Sequence, residues 1–365
     1  RDVYIEKESD INENIERLRH RATKSLLSRP DVIVVASVSC IYGLGVPEEY
    51  AKAIINLKVG QLLNRTTFLH QLLDAHYERN DTEVNNGLFR VKGDVIDIFP
   101  SWDDMLLRVE FFGDEIERLY RVHPISGEIL ESVDDFQIFP ATHYVVDDTE
   151  HAIEAIQKEL KERVAYYESE GQLVEAQRIK QRTEFDIEMM QEMGYCKGIE
   201  NYSRHLYKRK PGDATSVLLD FFPDNFITIM DESHVSVPQV RGMYEGDKSR
   251  KRNLIDFGFR LPSAYDNRPL KFDEFESRIN QMICVSATPG EYELNRIQDN
   301  NLENVGQPKV FGKYGFLNQQ SLLKNKKIVE QIIRPTGLTD PIIEVISTKG
   351  QMDEFIKQAH ETIQK

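Results

Sequence analysis

Apolar and polar positions change their rhythm several times along this chain. Asp10 to Leu27 places Ile11, Ile15 and Leu18 at helical spacing, which predicts a helix with that face buried, and Asp31 to Val38 is a β-branched run suited to a buried strand. Ser39 to Gly45 follows as a glycine-punctuated loop at the end of that strand. From about Lys58 to Val146 the texture shortens. Leu88 to Val91, Val95 to Phe99, Leu106 to Phe112 and Ile116 to Val122 are strand-like runs divided by turn residues such as Lys92-Gly93-Asp94 and Gly113-Asp114, so an antiparallel sheet is expected there. Glu150 to Met193 then turns helix-periodic. Ile153, Ile156, Leu160 and Val164 keep one register, Leu173, Ala176, Ile179 and Thr183 keep another, and Gly171 interrupts them, which predicts an antiparallel helical hairpin serving as a structural arm.

The most informative pattern comes later. Ile227-Thr-Ile-Met230 ends abruptly in Asp231-Glu232-Ser233-His234, and Ile283-Cys-Val285 ends in Ser286-Ala287-Thr288 before the turn signal Pro289-Gly290. A parallel strand buried on both faces carries its first polar residues to the carboxyl edge of the sheet, where α/β proteins bind ligands. At such an edge Asp231 is placed to hold a hydrated Mg²⁺ and Glu232 to orient the water that attacks a γ-phosphate. An acidic strand end is equally a solvated turn when it stands alone. The second motif, with hydroxyls at the same edge, points to a nucleic-acid-driven ATPase.

That chemistry also requires a glycine-rich loop ending in Gly-Lys-Ser/Thr to cradle the phosphates. Gly246-Asp247-Lys248-Ser249 and Lys24-Ser25 lack its spacing and its preceding strand. The expectation is therefore an internal fragment that does not hydrolyse ATP by itself. The formal net charge is −15, from 46 Lys and Arg against 61 Asp and Glu. That sum argues against a uniformly basic nucleic-acid binder, yet basic residues gather at Arg17, Arg19, Arg21 and Lys24, at Lys208 to Lys210, and at Lys248 to Arg252. Three cysteines without paired spacing indicate neither a zinc site nor a disulfide framework, so a reducing cytosol is the expected compartment. No apolar stretch approaches the roughly 18 residues that span a bilayer.

Six segments together resemble the bacterial UvrB family, whose members verify damage in nucleotide excision repair. They are Val35 to Gly45, Val109 to Arg118, Gly198 to His205, Asp231 to His234, Arg260 to Leu270 and Gln331 to Leu338. The resemblance covers nearly the whole chain except residues 295–327, an Asn-, Gln- and Lys-rich stretch that looks like an insertion. It implies an α/β fold: an incomplete RecA-like motor domain of the P-loop NTPase, superfamily 2 helicase class, with an inserted, mainly antiparallel β domain and a helical arm. The implied segments are 1–57 and 211–330 for the first motor domain, 58–146 for the inserted domain, 147–210 for the helical arm and 331–365 for the start of a second motor domain.

The same resemblance implies ATP and Mg²⁺ as cofactors, with His234, Ser286 and Thr288 coupling nucleotide state to DNA. It implies UvrA as the partner of the inserted domain through Arg79, Arg90 and Lys92, the last a Lys where relatives often carry Arg. Damaged double-stranded DNA, with one strand gripped behind a β-hairpin, would meet Tyr4, Lys7, Ser39, Tyr42, Arg241 and Arg250, and the UvrC nuclease would follow. A cytoplasmic location without a membrane partner completes the expectation. Two alternatives remain open: a transcription-repair coupling ATPase, whose comparable module carries degenerate motor motifs, and a non-catalytic module that binds UvrA or DNA.

Overall fold

The computed structural model describes residues 13–83, 85–146, 149–299 and 348–364, together with Ile328, Val329, Gln331 and Val345. The chain forms two units that meet near Leu294 in sequence. In the second, the described element is a helix, Gln351–Ile363.

Helix α1 (Glu13–Ser28) leads through an extended segment and a single 3₁₀ turn, Val38–Ile41, to α2 (Pro47–Lys52) and strand β1 (Ile55–Lys58). After α3 (Arg65–Asp74) come β2 (Glu78–Arg79), β3 (Leu88–Lys92), β4 (Val95–Ile98), β5 (Leu106–Phe112), β6 (Glu115–Val122) and β7 (Ile129–Val133), which form one sheet in chain order. All neighbours in it are antiparallel except β2 and β3, which run parallel. Pairing of Lys92 with Val95 leaves Gly93-Asp94 as a two-residue turn, and Gly93 takes φ +63°, the backbone that such a turn demands. Strand β8 (Asp135–Ile138) returns to pair antiparallel with β1.

Strand alternation divides the six-stranded sheet into an apolar and a charged face. Phe89, Ile96, Ile98, Leu107, Val109 and Leu119 are buried in one core with Phe68 and Leu72 of α3 and with Ile55, Leu57 and Ile138 of the β1–β8 pair. Arg90, Asp97 and Arg108 stand in one cross-strand row of opposite parity. The strand runs legible in the sequence are therefore strands in the structure, while β1, β2, β7 and β8 are additions that only the tertiary pairing reveals.

Helices α4 (Glu150–Ser169) and α5 (Leu173–Met193) make the hairpin, turning at Gly171. Ile153, Ile156 and Leu160 pack on Ala176, Ile179, Ile187 and Met190, but the same core takes in Ile199, Tyr202, Leu206 and Leu261. The hairpin is thus seated on the following segments, including the short α6 (Ser203–Leu206). Leu173 departs from the expected register and is 67% exposed, because it is the first residue of α5 and lies beyond the packed turns.

Strand β9 (Ile227–Met230), α7 (Ser233–Asp256), α8 (Phe272–Arg278), β10 (Gln281–Cys284) and the first turn of α9 (Glu291–Asp299) complete the first unit. β9 and β10 form a parallel pair.

Three expectations need correction. Asp31 to Val38 is not a strand: Ile33 and Val35 are 93% and 95% exposed, since no strand among the described residues lies alongside to accept their backbone pairing. β9 and β10 are covered on one face only, by Met230 with the Ile41, Val237 and Phe275 cluster, while Ile227, Ile229 and Ile283 face outward. In α1, Ile15 and Leu18 are exposed and the buried residues are His20 and Thr23. Spacing of apolar residues misleads there because the polar face is satisfied internally. Thr23 Oγ1 lies 3.1 Å from both the His20 carbonyl and His143 Nε2.

Candidate functional site

Parallel pairing of Ile227 with Gln281 through Met230 with Cys284 sends both strands out at one edge. The ladder continues past the last strand residues, with the Val285 N–H donating to the Met230 carbonyl at 2.9 Å and the Ser233 N–H to the Val285 carbonyl at 3.0 Å. These bonds fix Asp231-Glu232 and Ser286 beside each other. Glu232 sits in the left-handed region at φ +44°, a conformation that a non-glycine residue adopts at a cost, and the chain turns there straight into α7. Asp231 and Glu232 are both exposed at this edge.

His234, in the first turn of α7, reaches back across the edge. Its Nδ1 is 2.7 Å from Ser286 Oγ and 3.4 Å from a Glu232 carboxylate oxygen. Both contacts converge on one nitrogen: an unprotonated Nδ1 accepts from the Ser286 hydroxyl, and a protonated one donates to Ser286 Oγ or to Glu232. Ser286 Oγ also accepts the Thr288 N–H at 3.0 Å, which folds the Ser-Ala-Thr turn onto itself. The structure therefore brings Asp231, Glu232, His234, Ser286 and Thr288 to one edge.

A second layer, not anticipated from the sequence, lies under them. Ser233 is fully buried and its hydroxyl donates to Glu293 Oε1, while Glu293 Oε2 accepts the Gly290 N–H at 3.1 Å. Cys284, the last residue of β10, borders this pair. Burial, and then the Glu293 charge, push its thiol pKa up against an opposing hydrogen bond with Ser233. The legible signal was Gly290 followed three residues later by a glutamate, the spacing of a helix N-terminal cap.

The residues expected to meet DNA are scattered. Tyr4 and Lys7 lie outside the described residues. Ser39 is exposed on the 3₁₀ turn. Tyr42 is half-buried, and burial with the Asp247 charge raises its hydroxyl pKa against the opposing charge of Arg250. Arg250 itself is exposed and 3.2 Å from Asp247. Arg241 stacks its guanidinium 4.4 Å from the Phe272 ring and 5.2 Å from the Tyr292 ring. Two members of the sequence's basic clusters are structural instead. Lys251 is buried against Asp247 at 2.8 Å, and Arg209 bonds the Asp213 and Asp266 carbonyls and Ser203. Charge runs in a sequence do not reveal which members find internal partners.

On the six-stranded sheet, Arg90 and Lys92 share the charged face, but Arg90 is not a free cation. It and Arg108 grip Asp97 at 2.8 and 2.7 Å, and Asp97 is only 3% exposed. Burial pushes the Asp97 carboxyl up, yet the hydrogen bonds from Arg108 and Arg90 outweigh it and hold the pKa below the usual carboxylate range. Arg79 pairs with Asp81 at 2.8 Å, and Asp81 also accepts the Val91 N–H at 3.0 Å, which ties Arg79 to β3.

Glu16, His20 and His143 hold ligand-type atoms within 4.8 Å of one another. The two imidazoles are stacked, with centroids 4.0 Å apart and planes 12° from parallel. Stacked rings direct their lone pairs side by side and not toward a common point, so the trio does not fit a metal ion as arranged. Among the described residues, no helix is long and apolar enough to cross a membrane.

Comparison with known proteins agrees with this anatomy. The UvrB interaction domain family matches residues 55–144, and the UvrB third helical domain family matches residues 147–208. Over 359 residues the chain is 52% identical to UvrABC system protein B of Corynebacterium diphtheriae, covering 98% of this chain and 49% of that protein. It is 52% identical to the Mycobacterium tuberculosis protein of the same name over 97% of this chain and 46% of the relative, and 52% identical to that of Geobacillus kaustophilus over 100% and 52%. The chain spans about half the length of the curated relatives it matches. The chain thus carries the UvrB interaction domain followed by the UvrB third helical domain, and it shares half its residues with these UvrABC system B proteins along nearly its entire length.

Proposed function

We propose that this chain contributes the damage-verifying motor of nucleotide excision repair, an ATP-dependent, helicase-like subunit that receives DNA from UvrA and recruits the UvrC nuclease. The observation that carries this reading is the junction at the β9–β10 edge, where His234 Nδ1 meets Ser286 Oγ at 2.7 Å beside the exposed carboxylates of Asp231 and Glu232. A RecA-like motor binds nucleotide at such an edge. The donor set fits a hydrated magnesium ion, because Asp231 is an exposed oxygen donor next to solvent and Mg²⁺ keeps much of its water shell. When bound, the ion would neutralise phosphate charge on ATP. Glu232, held in its left-handed turn, would orient the attacking water, and the choice of partner at His234 would carry nucleotide state to Ser286 and Thr288.

In this reading the six-stranded sheet docks UvrA through Arg79, Arg90 and Lys92, and Ser39, Tyr42, Arg241 and Arg250 contact the DNA strand together with Tyr4 and Lys7. The test is ATP turnover by the full-length protein with and without Glu232→Ala. Loss of turnover with nucleotide binding retained supports the assignment, and wild-type turnover in that variant overturns it. The isolated chain is expected to be inactive toward ATP and competent for UvrA. A docking-only role is favoured by one observation, the self-contained core under the six-stranded sheet.

A further inference from the structure

Glu293 is buried, 7% exposed, in a region where every other acidic group discussed above at the β9–β10 edge is open to solvent. A buried carboxylate is retained only when its oxygens are hydrogen-bonded, and both are: Oε1 accepts from Ser233 Oγ and Oε2 from the Gly290 N–H. The two donors belong to the two motifs. Ser233 follows Glu232 directly and opens α7, and Gly290 closes the turn that carries Ser286 and Thr288. One side chain at the start of α9 thus fastens the Asp-Glu turn to the Ser-Ala-Thr turn from below, while His234 and Ser286 join them from above.

We propose that Glu293 is a positioning residue for ATP turnover, acting through Ser233 to hold Glu232 at the angle from which it orients water. The proposal rests on the ATP reading given above. Glu232 is exposed and occupies a strained backbone conformation; its carbonyl accepts the Val235 and Ser236 N–H groups at 2.8 and 3.0 Å, while among the described residues its carboxylate has only the 3.4 Å contact to His234. A strained φ persists only where neighbouring structure over-determines it. The residue immediately after Glu232 is the one that Glu293 holds. Packing around Gly290 is close as well, since a Cβ there would lie 3.2 Å from Glu293 Oε2, so the turn and the carboxylate form one fitted unit.

The experiment measures kcat and KM for ATP in the full-length protein bearing Glu293→Ala, Glu293→Gln, Ser233→Ala and the Glu293→Ala/Ser233→Ala pair. Glu293→Ala is expected to lower kcat about tenfold with KM unchanged, because the bond it removes matters for geometry and not for nucleotide contact. Ser233→Ala should reproduce that loss, and the pair should lose no more than either alone. Glu293→Gln keeps an acceptor for Gly290 and a donor for Ser233 and should stay within about threefold of wild type. Wild-type kcat in folded Ser233→Ala or Glu293→Ala, or additive losses in the pair, would overturn the proposal. Glu232→Ala run alongside separates the two levels: a dead Glu232→Ala with a normal Glu293→Ala removes only the positioning role, and a normal Glu232→Ala removes the ATP reading and this role with it.

Discussion

His234 and Ser286 stand 52 positions apart in the chain and 2.7 Å apart in space, Nδ1 to Oγ. Their contact closes the edge of the β9–β10 pair and joins the two motifs that would sense nucleotide. Removing the hydroxyl with Ser286→Ala leaves His234 only its 3.4 Å contact with Glu232. We expect DNA-stimulated ATP turnover of the full-length protein to fall about fivefold, the worth of one hydrogen bond near 1 kcal/mol, with basal nucleotide affinity unchanged. An unaltered ratio of stimulated to basal turnover would show that this contact does not couple the two.

Asp97 is the electrostatic centre of the charged sheet face. Asp97→Asn leaves Arg90 and Arg108 without their shared counter-charge and should destabilise the chain by about 1–3 kcal/mol. Because its folded pKa is lowered, this stabilisation is fully present above the unfolded value of about 4 and is lost as pH falls through the folded value. Thermal melts in that acidic window should show a stability loss in wild type that is diminished in Asp97→Asn.

The stacked His20 and His143 set a second, higher pH window. Burial, and then Arg19, lower the His20 pKa to about 3, and burial with the His20 and Arg19 charges also depresses His143. Both fold neutral and take up protons when unfolded, so stability is fully present above the unfolded pKa of about 6.5 and declines as pH falls below it. Denaturant unfolding between about pH 7 and pH 5 should lose about 2 kcal/mol per histidine. His20→Gln should remove part of that slope, and an unchanged slope would contradict the burial assigned to it.

Gly45 is expected to tolerate no side chain. A Cβ there would lie 1.5 Å from the His143 carbonyl oxygen, so Gly45→Ala should destabilise by more than about 3 kcal/mol in an unfolding titration. In the sequence this glycine reads only as part of a glycine-punctuated loop. In the structure it is where two segments touch.

That contrast marks what the sequence could convey. Strands at Leu88–Lys92, Val95–Ile98 and Leu106–Phe112 were legible because alternation and turn residues are local properties, and the edge position of Asp231 and Ser286 followed from the abrupt end of two apolar runs. Ile33 and Val35 misled because β-branching favours a strand but cannot supply its neighbour. Ile15 and Leu18 misled because a polar face, His20 and Thr23, found partners inside the fold. Asp97 was invisible because its meaning lies in what contacts it across the strands, and Glu293 was legible only as a cap of its own helix, since its bond to Ser233 spans 60 positions.

The most direct measurement is a calorimetric titration of this chain with purified UvrA, run in parallel on wild type and on the charge reversal Arg90→Glu/Lys92→Glu, with folding of both checked by circular dichroism. The repair reading predicts micromolar or tighter binding by wild type and its loss in the reversed variant. Failure of the folded wild-type chain to bind, or equal binding by both, would contradict it.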